Sequence, residues 1–139
     1  MDAIQRLIAE QACAKQIARY ATLLDAGEHE AVAALFAEHA SYARPSDPAN
    51  PIKGRAAILA EFQGRPPRLS RHVITNVIVN VESETTATAS CRVTLYMGTG
   101  ADIPAPVERT LVGDFYDQFE KIGDEWLFVE RRGSITLRA

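Results

Sequence analysis

The sequence is short of the residues that carry the most conspicuous chemistry. It has two cysteines, Cys13 and Cys91, in 139 residues. That is too few for a disulfide framework, and their places in a helical and a strand-like stretch suit small buried thiols. Its three histidines form no H-x-H motif, no C-x-x-C motif accompanies them and no carboxylates cluster, so neither a metal site nor a cofactor is expected. A glycine-rich phosphate loop is missing. No apolar run approaches the ~20 residues that span a bilayer. The opening Met1-Asp2-Ala3-Ile4-Gln5-Arg6 lacks the basic-then-apolar order of a signal peptide, which makes a cytoplasmic protein the expectation. Nor does one sign of charge dominate: 15 basic and 18 acidic residues leave a net −3. With no basic stripe to meet a phosphate backbone, nucleic acid is an unexpected partner.

What is present is 47% apolar content, enough for one core in a single domain over residues 1–139, without linker, repeat or low-complexity segment. Ile4, Leu7, Ile8, Ile17, Tyr20, Ala21 and Leu24 recur at helical spacing and predict a helix from about Asp2 to Leu24, broken by Gly27. A second helix is expected from about Glu28 to Glu38, with Val32, Leu35 and Phe36 buried and Glu28 and Glu30 favoured by the dipole of its first turn. A short strand around Ser41–Ala43, a proline-rich loop from Arg44 to Pro51 and a third helix over Arg55–Phe62 follow. Beyond Leu69 the pattern is strand: about 71–81, 86–97, 107–121 and 125–137, with Gly123-Asp124 as a tight hairpin. The class is α+β, with three N-terminal helices lying across a strongly curved, mostly antiparallel meander. A sheet curved into a cone-shaped barrel leaves an interior that can hold a ligand.

Four polar residues stand out against this background. Tyr20 and Asp25 close the first helix, His72 opens an apolar strand and Arg131 lies in the last one. Taken singly each has a plain reading: Tyr20 as a core aromatic, Asp25 as a cap, His72 as a satisfied strand histidine, Arg131 as a surface charge. His29 and His39 read as solvated. Brought together, the four would make a proton-transfer site, since histidine accepts a proton near neutral pH and a buried aspartate on its other ring nitrogen fixes the tautomer. Positions five apart on a helix point about 140° from each other. Asp25 is therefore expected to turn inward from just past a helix ending near Leu24. On the third strand His72, Ile74, Asn76 and Ile78 share one face and Val73, Thr75, Val77, Val79 and Val81 the other. Both faces are apolar, and a bulge would exchange them, so the inward face stays open.

These residues carry a resemblance. The run Tyr20-x4-Asp25-x-Gly27 followed by Ala33-Ala34-Leu35-Phe36, then Gly54-x3-Ile58, His72-x3-Asn76 and the ending Trp126-x-Phe128-x3-Arg132-Gly133 resemble the SnoaL-like group of the nuclear transport factor 2-like superfamily. Within it the chain looks most similar to the branch holding scytalone dehydratase, bile-acid 7α-dehydratase and hexachlorocyclohexane dehydrochlorinase. The resemblance implies a cystatin-like α+β barrel and cofactor-independent lyase chemistry on a small, apolar, aromatic or alicyclic molecule. It implies Asp25 and His72 as a carboxylate–imidazole dyad, Tyr20 as a hydrogen-bond donor and Arg131 as support for the leaving group, with Arg132 as its neighbouring rival. Tyr42, Val93, Leu95, Leu111, Gly113 and Phe115 fall on pocket-lining positions. The further aspartate or histidine that the two dehydratases use on their middle strands has no counterpart in Arg92–Met97. Isomerase or polyketide-cyclase chemistry, and a non-catalytic binding module, are the alternatives. A homo-oligomer is expected, with a trimer favoured over a dimer.

Overall fold

The computed structural model describes residues 1–100 and 102–139. Helix α1 spans Ala3–Asp25 and begins with a capping box: the Asp2 side chain accepts from the Gln5 amide at 2.7 Å, and the Gln5 side chain accepts from the Asp2 amide at 2.9 Å. It ends in a Schellman motif, the Glu28 amide reaching Leu23 O and the Gly27 amide Leu24 O, with Gly27 at φ +74°. Its buried line is Ala9, Cys13, Ile17 and Tyr20, with Gln16 and Ala21 alongside. This corrects the expected stripe, because Ile4, Leu7 and Ile8 are exposed. Alanine and cysteine let the helix backbone sit close to the sheet, and the large aliphatics of the first two turns face outward.

Helix α2 covers only His29–Ala33, and the chain then extends into strand β1, Phe36–Ala43. The expected longer helix is therefore wrong beyond Ala33. Val32, Leu35 and Phe36 fit helical spacing, but Phe36 is drawn into a parallel ladder with the last strand, where it lies opposite Phe128. Tertiary pairing overrides local spacing here. Strand β2, Ile52–Lys53, pairs with β1 after the expected loop, and helix α3 runs Arg55–Gln63. Strands β3 (Leu69–Val81), β4 (Thr86–Gly98), β5 (Val107–Ile122) and β6 (Glu125–Arg138) form the antiparallel meander.

The six strands lie in the order β2-β1-β6-β5-β4-β3. The sheet is mixed, since β1 joins β6 in parallel, and β2 and β3 remain as open edges rather than closing a barrel. Helix α1 packs against β3 and β6, and the core between helices and sheet is built on Ile17, Tyr20, Phe36, Phe62, Phe119 and Phe128. A bulge between Thr75 and Ile78, with Asn76 at φ +54°, divides β3. Before it Ser70, His72 and Ile74 are the more buried residues, and after it Val79 and Val81 are. The inward face thus changes parity along one strand. Among the described residues no helix is long and apolar enough to cross a membrane.

Candidate active site

Asp25 is the last residue of α1, still helical and not turned inward past the helix end as expected. Its carboxylate reaches sideways onto the start of β3. Oδ1 lies 2.5 Å from His72 Nδ1 and accepts from Ser70 Oγ at 2.9 Å, while Oδ2 accepts from the His72 amide at 2.7 Å. Burial acts to raise the Asp25 pKa, but the bonds from the His72 ring, its amide and Ser70 outweigh it and hold the carboxyl below its ordinary value. The aspartate is an acceptor in all three bonds. The side chains of Asp25 and His72 are 10% and 7% exposed, so the pair is largely sheltered from water.

His72 lines a cavity of about 370 Å³ between the helices and the sheet, within the range of small-molecule sites. With Nδ1 engaged by Asp25, Nε2 has no protein partner among the described residues. Asp25 does not line the cavity itself and holds the imidazole from behind. The floor is aromatic: Tyr20 and Tyr42 are fully buried and join hydroxyl to hydroxyl at 2.9 Å. Burial, with the neighbouring Tyr42 adding to it, pushes the Tyr20 pKa well above the ordinary phenol value, so Tyr20 is a neutral hydrogen-bonding group. Of the two hydroxyl protons one is used within the pair, which leaves the other to donate elsewhere.

All six residues assigned to substrate contact, Tyr42, Val93, Leu95, Leu111, Gly113 and Phe115, line this cavity. Gly113 is required by close approach, since a Cβ there would stand 1.9 Å from the Ser134 carbonyl oxygen of β6. Further residues line the cavity beyond these six. Met97 continues the alternation of Val93 and Leu95 on β4, and Arg109 that of Leu111, Gly113 and Phe115 on β5, so the period of two pointed to both. Arg44 and Ser46 come from the loop after β1, and Arg65, Pro66 and Arg68 from the loop after α3. Nothing in their local pattern marks them.

Arg131 departs from the expected placement beside a leaving group. It is the inward one of the Arg131–Arg132 pair, fully buried where Arg132 is exposed, but it does not line the cavity. Its guanidinium lies behind the aromatic floor, 3.8 Å from the Phe115 ring centroid and 4.2 Å from that of Tyr20. Its Nε is 3.3 Å from Asp117 Oδ1, and Nη2 is 3.7 Å from Cys91 Sγ. Burial pushes the Asp117 carboxyl up to about 6 against the pull of Arg131. Both cysteines are buried and free, and burial raises their thiol pKa, that of Cys13 to about 12, so neither is poised as a nucleophile. His29 packs on Phe62 and His39 is exposed beside Glu120, both outside the cavity. No group of metal-binding side chains occurs among the described residues.

The family described as SnoaL-like domain matches residues 5–132. Among curated proteins none matches. Solved structures resemble the whole chain. A scytalone dehydratase candidate from Novosphingobium aromaticivorans is 24% identical, with a TM-score of 0.86 over 99% of this chain and 91% of that one. A type 2 hexachlorocyclohexane dehydrochlorinase is 13% identical, with a TM-score of 0.84 over 99% and 92%. An NTF2-like protein with a cystatin-like fold, also from Novosphingobium aromaticivorans, is 27% identical, with a TM-score of 0.74 over 96% and 86%. At these identities the likeness is one of fold.

Proposed function

Since the chain belongs to the SnoaL-like domain family, we propose that it is a cofactor-independent lyase, a dehydratase or related eliminase, acting on a small, largely apolar, cyclic substrate in the cytoplasm. The observation that carries this reading is the Asp25–His72 hydrogen bond at the wall of a cavity whose inner lining includes Val93, Leu95, Leu111 and Phe115, with Nε2 left unpartnered. Nε2 takes a proton from the carbon next to the one bearing the leaving group. The C–H electron pair becomes the new C=C π bond, and the leaving group departs with its own bonding pair as hydroxide or halide. Asp25 fixes the proton on Nδ1 and stabilises the imidazolium that forms. Such a base is worth about 10²–10⁴-fold in rate. The free proton of the Tyr20–Tyr42 hydroxyl pair donates to the departing group or to an adjacent carbonyl oxygen, where charge develops in a dry site. Arg131 acts through Tyr20, whose ring its guanidinium covers, and is a positioning residue.

Turnover tests this on a panel of β-hydroxy ketones and halogenated rings, with products identified by mass. Loss of water or hydrogen halide in the parent, and none in a folded His72→Ala variant, is the expected result. A variant that matches the parent in rate removes the base. A product of unchanged mass and shifted double bond means isomerisation by the same base. Ligand binding without turnover, unaffected by loss of both Asp25 and His72, means a binding module. We also propose that the chain forms a homo-oligomer, because the sheet exposes Val73, Ile78, Tyr96 and Tyr116 to water, with a trimer favoured over a dimer on the resemblance to the dehydratase and dehydrochlorinase branch.

A further inference from the structure

The charge of the cavity does not follow that of the chain. Four of the chain's fifteen basic residues line it, Arg44, Arg65, Arg68 and Arg109, and none of its eighteen acidic residues does, in a protein of net charge −3. Glu61, just outside, is bonded to Arg44 and lies 3.6 Å from Arg65, one carboxylate for two guanidinium groups. Arg68 and Arg109 have no carboxylate within ion-pair distance among the described residues. Both are exposed while lining the cavity, which places them at its mouth. They meet around one side chain: Arg68 Nη1 is 3.3 Å from Met97 Sδ, and Met97 is the ladder partner of Arg109. Desolvation and then the nearby charge of Arg65 lower the Arg68 pKa, against the opposing pull of Asp25. Unpaired guanidinium groups over apolar walls favour an anion that brings its own apolar surface.

We propose that the natural ligand is a carboxylate-bearing ring compound, its ring seated between Leu95, Leu111 and Phe115 and its carboxylate held at the mouth by Arg68 and Arg109. The inference rests on the reading of this cavity as the ligand site, and it narrows the substrate class from apolar to amphiphilic. A solvated surface cluster of arginines would show no such preference for a ligand with an apolar body.

Calorimetric titration with 2-naphthoate and with 2-naphthamide, equal in shape and unequal in charge, tests it on the whole chain. The naphthoate should bind about tenfold more tightly at low salt, the size of a charge-assisted hydrogen bond, and the advantage should shrink at high salt. In an Arg68→Gln/Arg109→Gln variant, whose changes lie on exposed side chains, the advantage should be lost while naphthamide affinity holds. An Arg92→Gln/Arg132→Gln variant, altered outside the cavity, should keep it. Equal or weaker binding of naphthoate, binding of neither probe, or an advantage that survives the Arg68/Arg109 changes overturns the proposal. Repeating the titrations in His72→Ala separates this question from catalysis. A preference for the anion without turnover of any substrate leaves the inference standing and the lyase reading fallen, and elimination of neutral substrates without that preference does the reverse.

Discussion

Asp25 carries two separable consequences. As an orienting group it makes three hydrogen bonds to β3, and Asp25→Asn keeps its shape while losing the anion. That change should lower kcat by about 10²–10⁴-fold with little change in KM, measured by steady-state kinetics on whichever substrate the panel identifies. As a titrating group it is more acidic folded than unfolded, so the folded state binds its proton more weakly. Its contribution to stability is full above the ordinary value of 3.8 and is lost as pH falls through the lowered value. Urea midpoints measured from pH 5 down to pH 2.5 should therefore fall more steeply in the parent than in Asp25→Asn. Arg131 and Arg132 make a contrasting pair. Removing Arg131 strands the buried Asp117 carboxylate and empties the space behind Tyr20 and Phe115, and Arg131→Ala should cost about 3–5 kcal/mol by equilibrium denaturation. Arg132, exposed and paired with Glu130, should cost less than about 0.5 kcal/mol.

At the scale of elements the site depends on where β5 and β6 come together. The register between them shifts at Val112/Gly113, where the Ser134 carbonyl occupies the space a side chain would need. Gly113→Ala should destabilise by about 1–3 kcal/mol through overpacking, seen as a lower urea midpoint, and should weaken ligand binding as β6 is pushed from the cavity wall. Much at this scale is readable in the residues. The strand boundaries of the meander follow from β-branched runs punctuated by glycine, and Tyr20, His72, Leu111 and Phe115, which the family resemblance rather than their spacing marked, line the cavity. Where the reading failed, a distant contact overrode a local signal. Phe36 is at home in a helical pattern until β6 offers it a ladder partner. Ile4, Leu7 and Ile8 stand on the side of α1 opposite Ala9, Cys13 and Ile17 and face outward, although the sheet reaches that end of the helix at Val81, whose carbonyl accepts from Arg6. Asn76 carries no mark of the bulge that reverses the inward face of β3, and Arg65 and Arg68 reach the cavity through a loop whose course no periodicity records.

For the whole molecule, the open sheet leaves Val73, Ile78, Tyr96 and Tyr116 in water while helices cover its other face. Sedimentation equilibrium should give a mass of two or three times the 15.2 kDa chain, and charged substitutions at Ile78 and Tyr116 should shift it to the monomer. A monomeric parent would show that these residues are simply exposed. The cavity unites what the two sides of the molecule contribute: Tyr20 from a helix, His72 from the edge strand, Leu111 and Phe115 from the middle of the sheet. Its proposed chemistry turns on which ring nitrogen of His72 holds the proton. Nitrogen-detected NMR of the ¹⁵N-histidine-labelled protein, at a pH where the ring is neutral, reads this directly, with His72→Ala supplying the assignment. The expected result is a proton on Nδ1 and a bare Nε2 toward the cavity, with that tautomer preference weakened in Asp25→Asn. A proton on Nε2 would make His72 a donor to whatever enters and would contradict its role as the base.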